Sequence, residues 1–406
     1  LNGGEDSVAR LLCSAFAMGP RKPRPPDPPH RFQVGHPAVD AAIGALVQQA
    51  QVEFGATADA ELVREICVTA IKLLQEQAPR GDLKLVNASL KEIRHALRVF
   101  APWEHVRKVS VFGSARTPAG APEYEQARRF AEAVAAAGWM VITGAGDGIM
   151  GAAQGGAGRE KSFGVNIRLP WEQAANETIR DDKKLIRFRY FFTRKLFFMK
   201  EAHAIALFPG GFGTHDEGFE ALTLLQTGKS ELVPVVFVDA PGGSYWADWN
   251  RYVETHLRAR SLVSPNDLSL YRVTDDVDVA VREVLRFYAN YDSSRYVADR
   301  LVIRVKRAPD RAQLEQLNAD FGDLLAEGRI ETGAALPEEN GEAADLPRLL
   351  LHFHRRDFGR LRQLVDRLNA LVPDGDARKP GAAQAKAPHQ VLPVEPPGRD
   401  ADGDEG

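Results

Sequence analysis

The sequence predicts an α/β protein. Its centre is a Rossmann-like parallel sheet flanked by helices, with an N-terminal helical segment and a small C-terminal α+β module. Three observations carry this reading. Apolar runs alternate with amphipathic stretches across residues 105–292. The runs are continuous, so both faces of each strand are buried, as in a parallel sheet under helices. Glycine-rich turns directly follow three of them.

The elements follow in chain order. Residues 1–35 contain Pro20-Arg21-Lys22-Pro23-Arg24-Pro25-Pro26-Asp27-Pro28-Pro29. That density of proline removes N–H donors and fixes φ, so a disordered or extended arm is expected. Residues 36–104 show helical spacing at Val39, Ile43 and Val47, at Leu62 and Ile66, at Ile71 and Leu74, and at Leu90, Ile93 and Leu97. Roughly three helices are expected there, as a cap or interface layer. In the Rossmann-like domain expected over 105–292, residues 109–112, 139–142, 163–167, 204–208 and 233–238 read as strands. Residues 123–137 and 214–226 read as helices between them. Residues 300–373 read as a separate α+β module: strand 301–305, helix 311–325, strand 348–353, helix 358–371. It carries no catalytic cluster, so a regulatory or oligomerisation role is expected. Residues 374–406 hold Gly, Pro, Ala and charge with almost no large apolar residue, and read as a disordered tail.

Composition excludes several classes. A net charge of −3 argues against bulk binding of polyanions. The two cysteines, Cys13 and Cys67, form no metal spacing and no disulfide framework, which fits a reducing cytoplasm. No apolar run approaches the ~20 residues that span a bilayer. The chain begins at Leu1 rather than Met, so a processed or truncated start is expected. The stretch 11–18 is too short and poorly flanked for a signal peptide.

The three turns are Gly113-Ser114-Ala115-Arg116, Gly144-Ala145-Gly146-Asp147-Gly148-Ile149-Met150-Gly151 and Pro209-Gly210-Gly211-Phe212-Gly213-Thr214. Each lies at the C-terminal end of a strand, where open α/β sheets bind ligands. One such turn alone is only a tight connection. Three on one sheet edge point to a phosphate or nucleotide site, because a strand–turn–helix presents backbone N–H groups to an anion. Gly146-x-Gly148-x-x-Gly151 also fits the dinucleotide fingerprint, with Glu172 about 20 residues further on. It follows the second strand rather than the first, so nicotinamide binding is a minor alternative.

Thr214-x-x-Glu217 is a capping box by spacing, with Thr214 as N-cap and Glu217 closing the turn. A capping carboxylate would compete with the anion for the same amides. Spacing alone leaves capping and catalysis level. Glu220 falls on the same helical face as Glu217. Arg187, Arg189, Arg194, Lys195 and Lys200 lie among Phe188, Tyr190, Phe191, Phe192, Phe197 and Phe198. This stretch is a stacking surface for nucleic acid, a buried aromatic face backed by solvated cations, or a substrate clamp built on Arg194. The near-neutral chain disfavours nucleic acid. His203, His215, His352 and His354 lack zinc spacing, and no Walker loop is present.

Arg194-Lys195 followed by the Pro209–Thr214 turn and Glu217 resembles the signature of the LOG ("Lonely Guy") family. These are cytokinin-activating phosphoribohydrolases long misannotated as lysine decarboxylases. The resemblance extends through Ser110-Val111-Phe112-Gly113-Ser114-Ala115-Arg116, Gly148-Ile149-Met150, Tyr190-Phe191-Phe192-Thr193-Arg194-Lys195 and Leu222-Thr223-Leu224-Leu225-Gln226-Thr227-Gly228-Lys229. The flanking segments look like those of the long bacterial members, similar in layout to nucleotide 5′-monophosphate nucleosidases.

The resemblance implies hydrolysis of the N-glycosidic bond of a nucleoside 5′-monophosphate to free base and ribose 5-phosphate. It implies Arg194 and Glu217 as the catalytic pair, with Lys195 and Glu220 beside them. Gly210, Gly211, Gly213 and Thr214 would hold the phosphate, and Gly113, Ser114 and Met150 would lie near the nucleotide. It implies a nucleoside 5′-monophosphate as substrate and no cofactor or metal; no nucleic-acid or membrane partner is expected, and the helical segment and the 300–373 module predict a homo-oligomer or effector binding. Two departures stand out: Gly144-Ala145-Gly146 where many members have three glycines, and Phe191-Phe192-Thr193 where short members have Met-His. They leave AMP or another ordinary nucleotide as good a substrate as a cytokinin nucleotide. Lysine decarboxylation would need a pyridoxal Schiff-base lysine, for which no motif is present.

Overall fold

The computed structural model describes residues 32–55, 59–168 and 174–373. The proline-rich stretch, Cys13, Glu172 and the tail lie outside the described residues. The chain divides into two compact units, the first ending at Asn87 and the second starting at Ala88.

In the first unit, α1 (Pro37–Phe54) packs against α2 (Ala60–Gln75). Val34, Ile43 and Val68 form its small core, with Val39, Cys67 and Ile71 partly buried around them. The Asp40 carboxylate accepts from the N–H groups of Val34, Gly35 and His36 and fixes the entry to α1. The unit boundary falls within α3 (Arg80–Phe100).

The second unit is built on seven parallel strands. They are β1 (Lys108–Phe112), β2 (Met140–Thr143), β3 (Ser162–Ile167), β4 (Leu185–Phe188), β5 (Ala204–Leu207), β6 (Val235–Val238) and β7 (Tyr271–Thr274). The order is β4-β3-β2-β1-β5-β6-β7. Strands β1, β2, β5 and β6 are buried along their whole length, as a parallel sheet covered on both faces requires. The helices covering the sheet are α4 (Pro122–Ala136), α5 (Ile149–Ala157), α6 (Phe191–Lys200), α7 (Phe212–Gln226), α8 (Tyr245–Tyr252) and α9 (Val277–Arg286). From β1 the chain winds outward to β4, then returns to lay β5 on the other side of β1. Val109 pairs with Ala204 and Val111 with Ala206. The crevice above β1 and β5 is therefore the topological switch point, where doubly wound sheets bind ligands.

The second sheet is antiparallel, in the order β10-β11-β9-β8. Its strands are β8 (Tyr291–Val297), β9 (Arg300–Val305), β10 (Leu325–Gly333) and β11 (Arg348–Phe353), with α10 (Arg311–Phe321) and α11 (Phe358–Asn369). The helix expected over 311–325 stops at Phe321, and Leu325 already belongs to β10. The small C-terminal α+β module is present, and its sheet shares a core with the parallel one. Leu301, Ile303, Phe353 and Leu361 belong to one hydrophobic core with Val109, Phe208 and Val236. Within this sheet the buried Glu339 carboxylate joins Arg304 at 2.7 Å and Arg348 at 3.1 Å. No helix among the described residues is long and apolar enough to cross a membrane.

Candidate functional site

The three glycine turns meet above β1 and β5. Ser114 N–H donates to the Pro209 carbonyl at 3.1 Å, and Ile149 N–H donates to the Ser114 carbonyl at 3.0 Å. Gly148 has φ +62°, and a Cβ there would sit 2.3 Å from the Ser114 carbonyl oxygen. A Cβ on Gly210 would lie 2.1 Å from Thr214 Oγ1 and 2.9 Å from Ser114 N. Glycine is thus required where turn meets turn. Around Gly211 and Gly213 there is open space, so the backbone is left uncovered. Met150 lies along the second turn, its Sδ 2.8 Å from where a Gly144 Cβ would stand. Ala145, between Gly144 and Gly146, is buried with φ +63°. That backbone costs an alanine about 1 kcal/mol. Its methyl packs with Ala175 and Ile179 in return.

Helix α7 starts earlier than the capping box would place it. Its N-cap is Gly211, which supplies no side-chain cap. Thr214 is already in the first turn and Glu217 lies one turn deeper, so the capping reading of Glu217 is overturned. The N–H groups of Gly210, Gly211, Phe212 and Gly213 make no hydrogen bond among the described residues. Four consecutive free donors at the positive end of a helix can hold an anion.

The charges gather between α6 and α7. Glu217 Oε1 lies 3.9 Å from Arg194 Nη2, and Glu217 Oε2 lies 3.8 Å from Lys195 Nζ. Lys195 is held more tightly by its other partners, Glu220 at 2.6 Å and Asp216 at 2.8 Å. Glu217 Oε2 and Arg194 Nε are buried and without a hydrogen-bond partner among the described residues. Burial pushes the Glu217 carboxyl up to about 7, and the Lys195 and Arg194 cations only partly offset it. Burial likewise pulls Arg194 below the usual guanidinium value, against the pull of Glu217. Burial also acts to lower Lys195, but its bonds to Asp216 and Glu220 outweigh that and hold it above the ordinary ammonium value.

The aromatic stretch divides its residues. Phe188, Phe197 and Phe198 are buried, while Phe191 and Phe192 face solvent. Arg194 lies over the rings of Phe191 and Phe198, 4.9 and 5.5 Å from their centroids. Thr193 Oγ1 donates to Glu92 Oε2 at 2.6 Å, which anchors the start of α6. The buried-face reading describes part of this helix. Lys200 pairs instead with Glu201 at 2.7 Å.

The histidines scatter. His203 is at the opposite end of β5, accepting the Lys108 N–H on Nδ1, and burial lowers its pKa to about 3. His352 lies in the second sheet, 3.4 Å from Asp299 and 3.9 Å from Glu327. His215 is in the site region, and with it comes a residue the sequence reading missed. Tyr245 hydrogen-bonds both His215 and the Gly210 carbonyl. The only trace of it in the sequence is its place at the start of the helix after β6.

Residues 149–284 match the family model described as "Possible lysine decarboxylase". No curated protein matches the chain. Among solved structures the chain is similar to a molybdenum cofactor carrier protein from Chlamydomonas reinhardtii. The identity is 22% over 44% of this chain and 98% of that one, with a TM-score of 0.32. It is also similar to a molybdenum cofactor binding protein from the phototrophic bacterium Rippkaea orientalis. Here the identity is 15% over 44% of this chain and 93% of that one, with a TM-score of 0.31. The matched family stretch contains Arg194, Lys195, the Gly210 turn and Glu217, and the chain therefore carries a LOG-family domain in its parallel sheet.

Proposed function

We propose that the chain hydrolyses the N-glycosidic bond of a nucleoside 5′-monophosphate, releasing the free base and ribose 5-phosphate. One observation carries this reading. A buried carboxyl with an unpartnered oxygen sits one turn into the helix whose first N–H groups are free. The 5′-phosphate would lie on the amides of Gly210, Gly211, Phe212 and Gly213, with Thr214 beside it. The ribose would then reach Glu217. Breaking the C1′–N bond sends the electron pair to the base and leaves positive charge on the ribose. Water attacks C1′ as its proton passes to Glu217, and Glu217 hands that proton on to the departing nitrogen, which regenerates the carboxylate. A carboxyl titrating at about 7 can hold or release a proton at neutral pH, as that exchange requires. Arg194 keeps Glu217 oriented, and binding of the remote phosphate supplies alignment at C1′.

The residues are compatible with AMP and with a cytokinin nucleotide alike. Self-association belongs to the same proposal, since Phe191, Phe192 and Leu196 present apolar side chains to solvent from α6. Light scattering measures it directly.

The test is a panel of nucleoside 5′-monophosphates, including AMP and isopentenyladenosine monophosphate, with free base measured by chromatography. Base release that falls at least about a hundredfold in Glu217→Ala is expected. Binding without base release from any nucleotide would make the chain a nucleotide carrier instead.

A further inference from the structure

Tyr245 opens α8, and its hydroxyl donates to the carbonyl of Gly210. That donation commits its one proton, so the same oxygen can only accept from His215 Nε2, 2.7 Å away. The imidazole proton is thereby placed on Nε2, with Nδ1 bare. The His215 ring is flanked by Phe219 at 6.3 Å and Trp246 at 5.3 Å. Partial burial lowers its pKa, so the ring is neutral at pH 7. Tyr245 is itself held from below. The buried Asp239 carboxylate, just past β6, accepts from the N–H groups of Trp246 at 2.9 Å and Ala247 at 3.2 Å. The start of α8 is therefore fixed to the sheet.

A trans peptide unit is planar, so its C=O and the following N–H point in opposite directions. Holding the Gly210 carbonyl toward Tyr245 aims the Gly211 N–H the other way. The preceding unit is clamped too, because the Pro209 carbonyl accepts from Ser114 N–H. Between two glycines, the Gly210–Gly211 peptide has no side chain to stop it from flipping. A flip would turn a carbonyl lone pair toward the anion in place of a donor.

We infer that Tyr245, backed by His215, is a positioning residue for the phosphate turn: it locks the Gly210–Gly211 peptide so that the Gly211 N–H faces the 5′-phosphate. The inference rests on the phosphate cradle proposed above. It predicts an effect that follows the phosphate and ignores the base. Tyr245 is 39% exposed, so losing its hydroxyl removes little packing.

The experiment uses the full chain, wild type and Tyr245→Phe. Ribose 5-phosphate and ribose are titrated by calorimetry, and AMP and adenosine are assayed for base release. Loss of one aligned hydrogen bond is expected to weaken ribose 5-phosphate binding about tenfold. The KM for AMP should rise by a similar factor with kcat little changed, while adenosine and ribose behave as in wild type. His215→Phe should show a smaller loss of the same kind. An unchanged affinity for ribose 5-phosphate overturns the inference. So does an equal loss toward phosphate-bearing and phosphate-free ligands, which would mark a general structural defect. If wild type binds ribose 5-phosphate but cleaves nothing, the hydrolase reading falls and the binding comparison still decides the role of Tyr245. If wild type binds no ribose 5-phosphate, the cradle and the positioning role fall together.

Discussion

Glu217 is a carboxylate whose ionisation the fold opposes. Its pKa rises from 4.5 in the open chain to about 7 in the folded protein, because burial removes water and the cations at 3.8 and 3.9 Å stand too far to replace it. The raised value means stability from this group is fully present below pH 4.5 and is lost as pH climbs through 7. The difference is on the order of 3 kcal/mol. Glu217→Gln keeps the shape without the charge. It is expected to raise the melting temperature at pH 8, to leave it nearly unchanged at pH 4.5, and to abolish base release. Thermal unfolding of both proteins at the two pH values checks this. For the wild type, kcat/KM against pH should bend near 7, and a bend confined to pH 4–5 would show that water reaches the carboxyl. None of this was legible from spacing. Thr214 and Glu217 form a capping box on paper, and only the true helix start at Phe212 moves Glu217 inward. The pairing with Arg194 came from the resemblance, because no periodicity links a residue on α6 to one on α7.

At the scale of elements, α7 is held at both ends. Its first turn meets the Ser114 turn, and its last leads into Gly228, over which the Phe358 ring of α11 is seated. Gly228 has φ +64°, and a Cβ there would come 1.9 Å from Phe358 Cζ. Gly228→Ala combines left-handed strain with overpacking and should destabilise the protein by roughly 2–4 kcal/mol. Adding Phe358→Leu should return the overpacking part, which urea denaturation of the single and double variants measures. The strands legible in the sequence were those buried on both faces, such as β1 and β5. Strands β4 and β7 escaped because Arg187 and Arg272 interrupt their short runs, at the two edges of the sheet where one side faces water. Strand β10 escaped because most of its residues are exposed. Tyr245 escaped for a different reason. Its role depends on Asp239 placing α8, a relation between elements with no sequence period.

The whole molecule places two buried carboxylates under opposite electrostatics. Burial alone would push Glu339 up as it does Glu217. The Arg348 guanidinium, the Leu336 N–H and the Arg304 guanidinium outweigh it and hold Glu339 at about 2. Its stabilising share is present above pH 4.5 and is lost as pH falls toward 2, again on the order of 3 kcal/mol. Together the two groups favour the fold most near pH 4.5, where Glu339 is ionised and Glu217 is not. Glu339→Gln removes the carboxylate that two buried guanidinium groups share and should cost roughly 3–5 kcal/mol at pH 7, with the gap to wild type closing as pH falls toward 2. Melting curves from pH 3 to 8 test both halves of this statement.

The seat of Phe358 on Gly228 also bears on how the protein is made. The turn after α7 leaves the ribosome well before the helix that covers it. Leu361, Leu364 and Leu368 of that late helix are fully part of the core that closes around the parallel sheet. A nascent chain ending before α11 exposes that core to solvent, with the cradle and its acid already synthesised. Closure of the core around the parallel sheet therefore waits on residues of the last helix, and the interval is when a chaperone would be needed most.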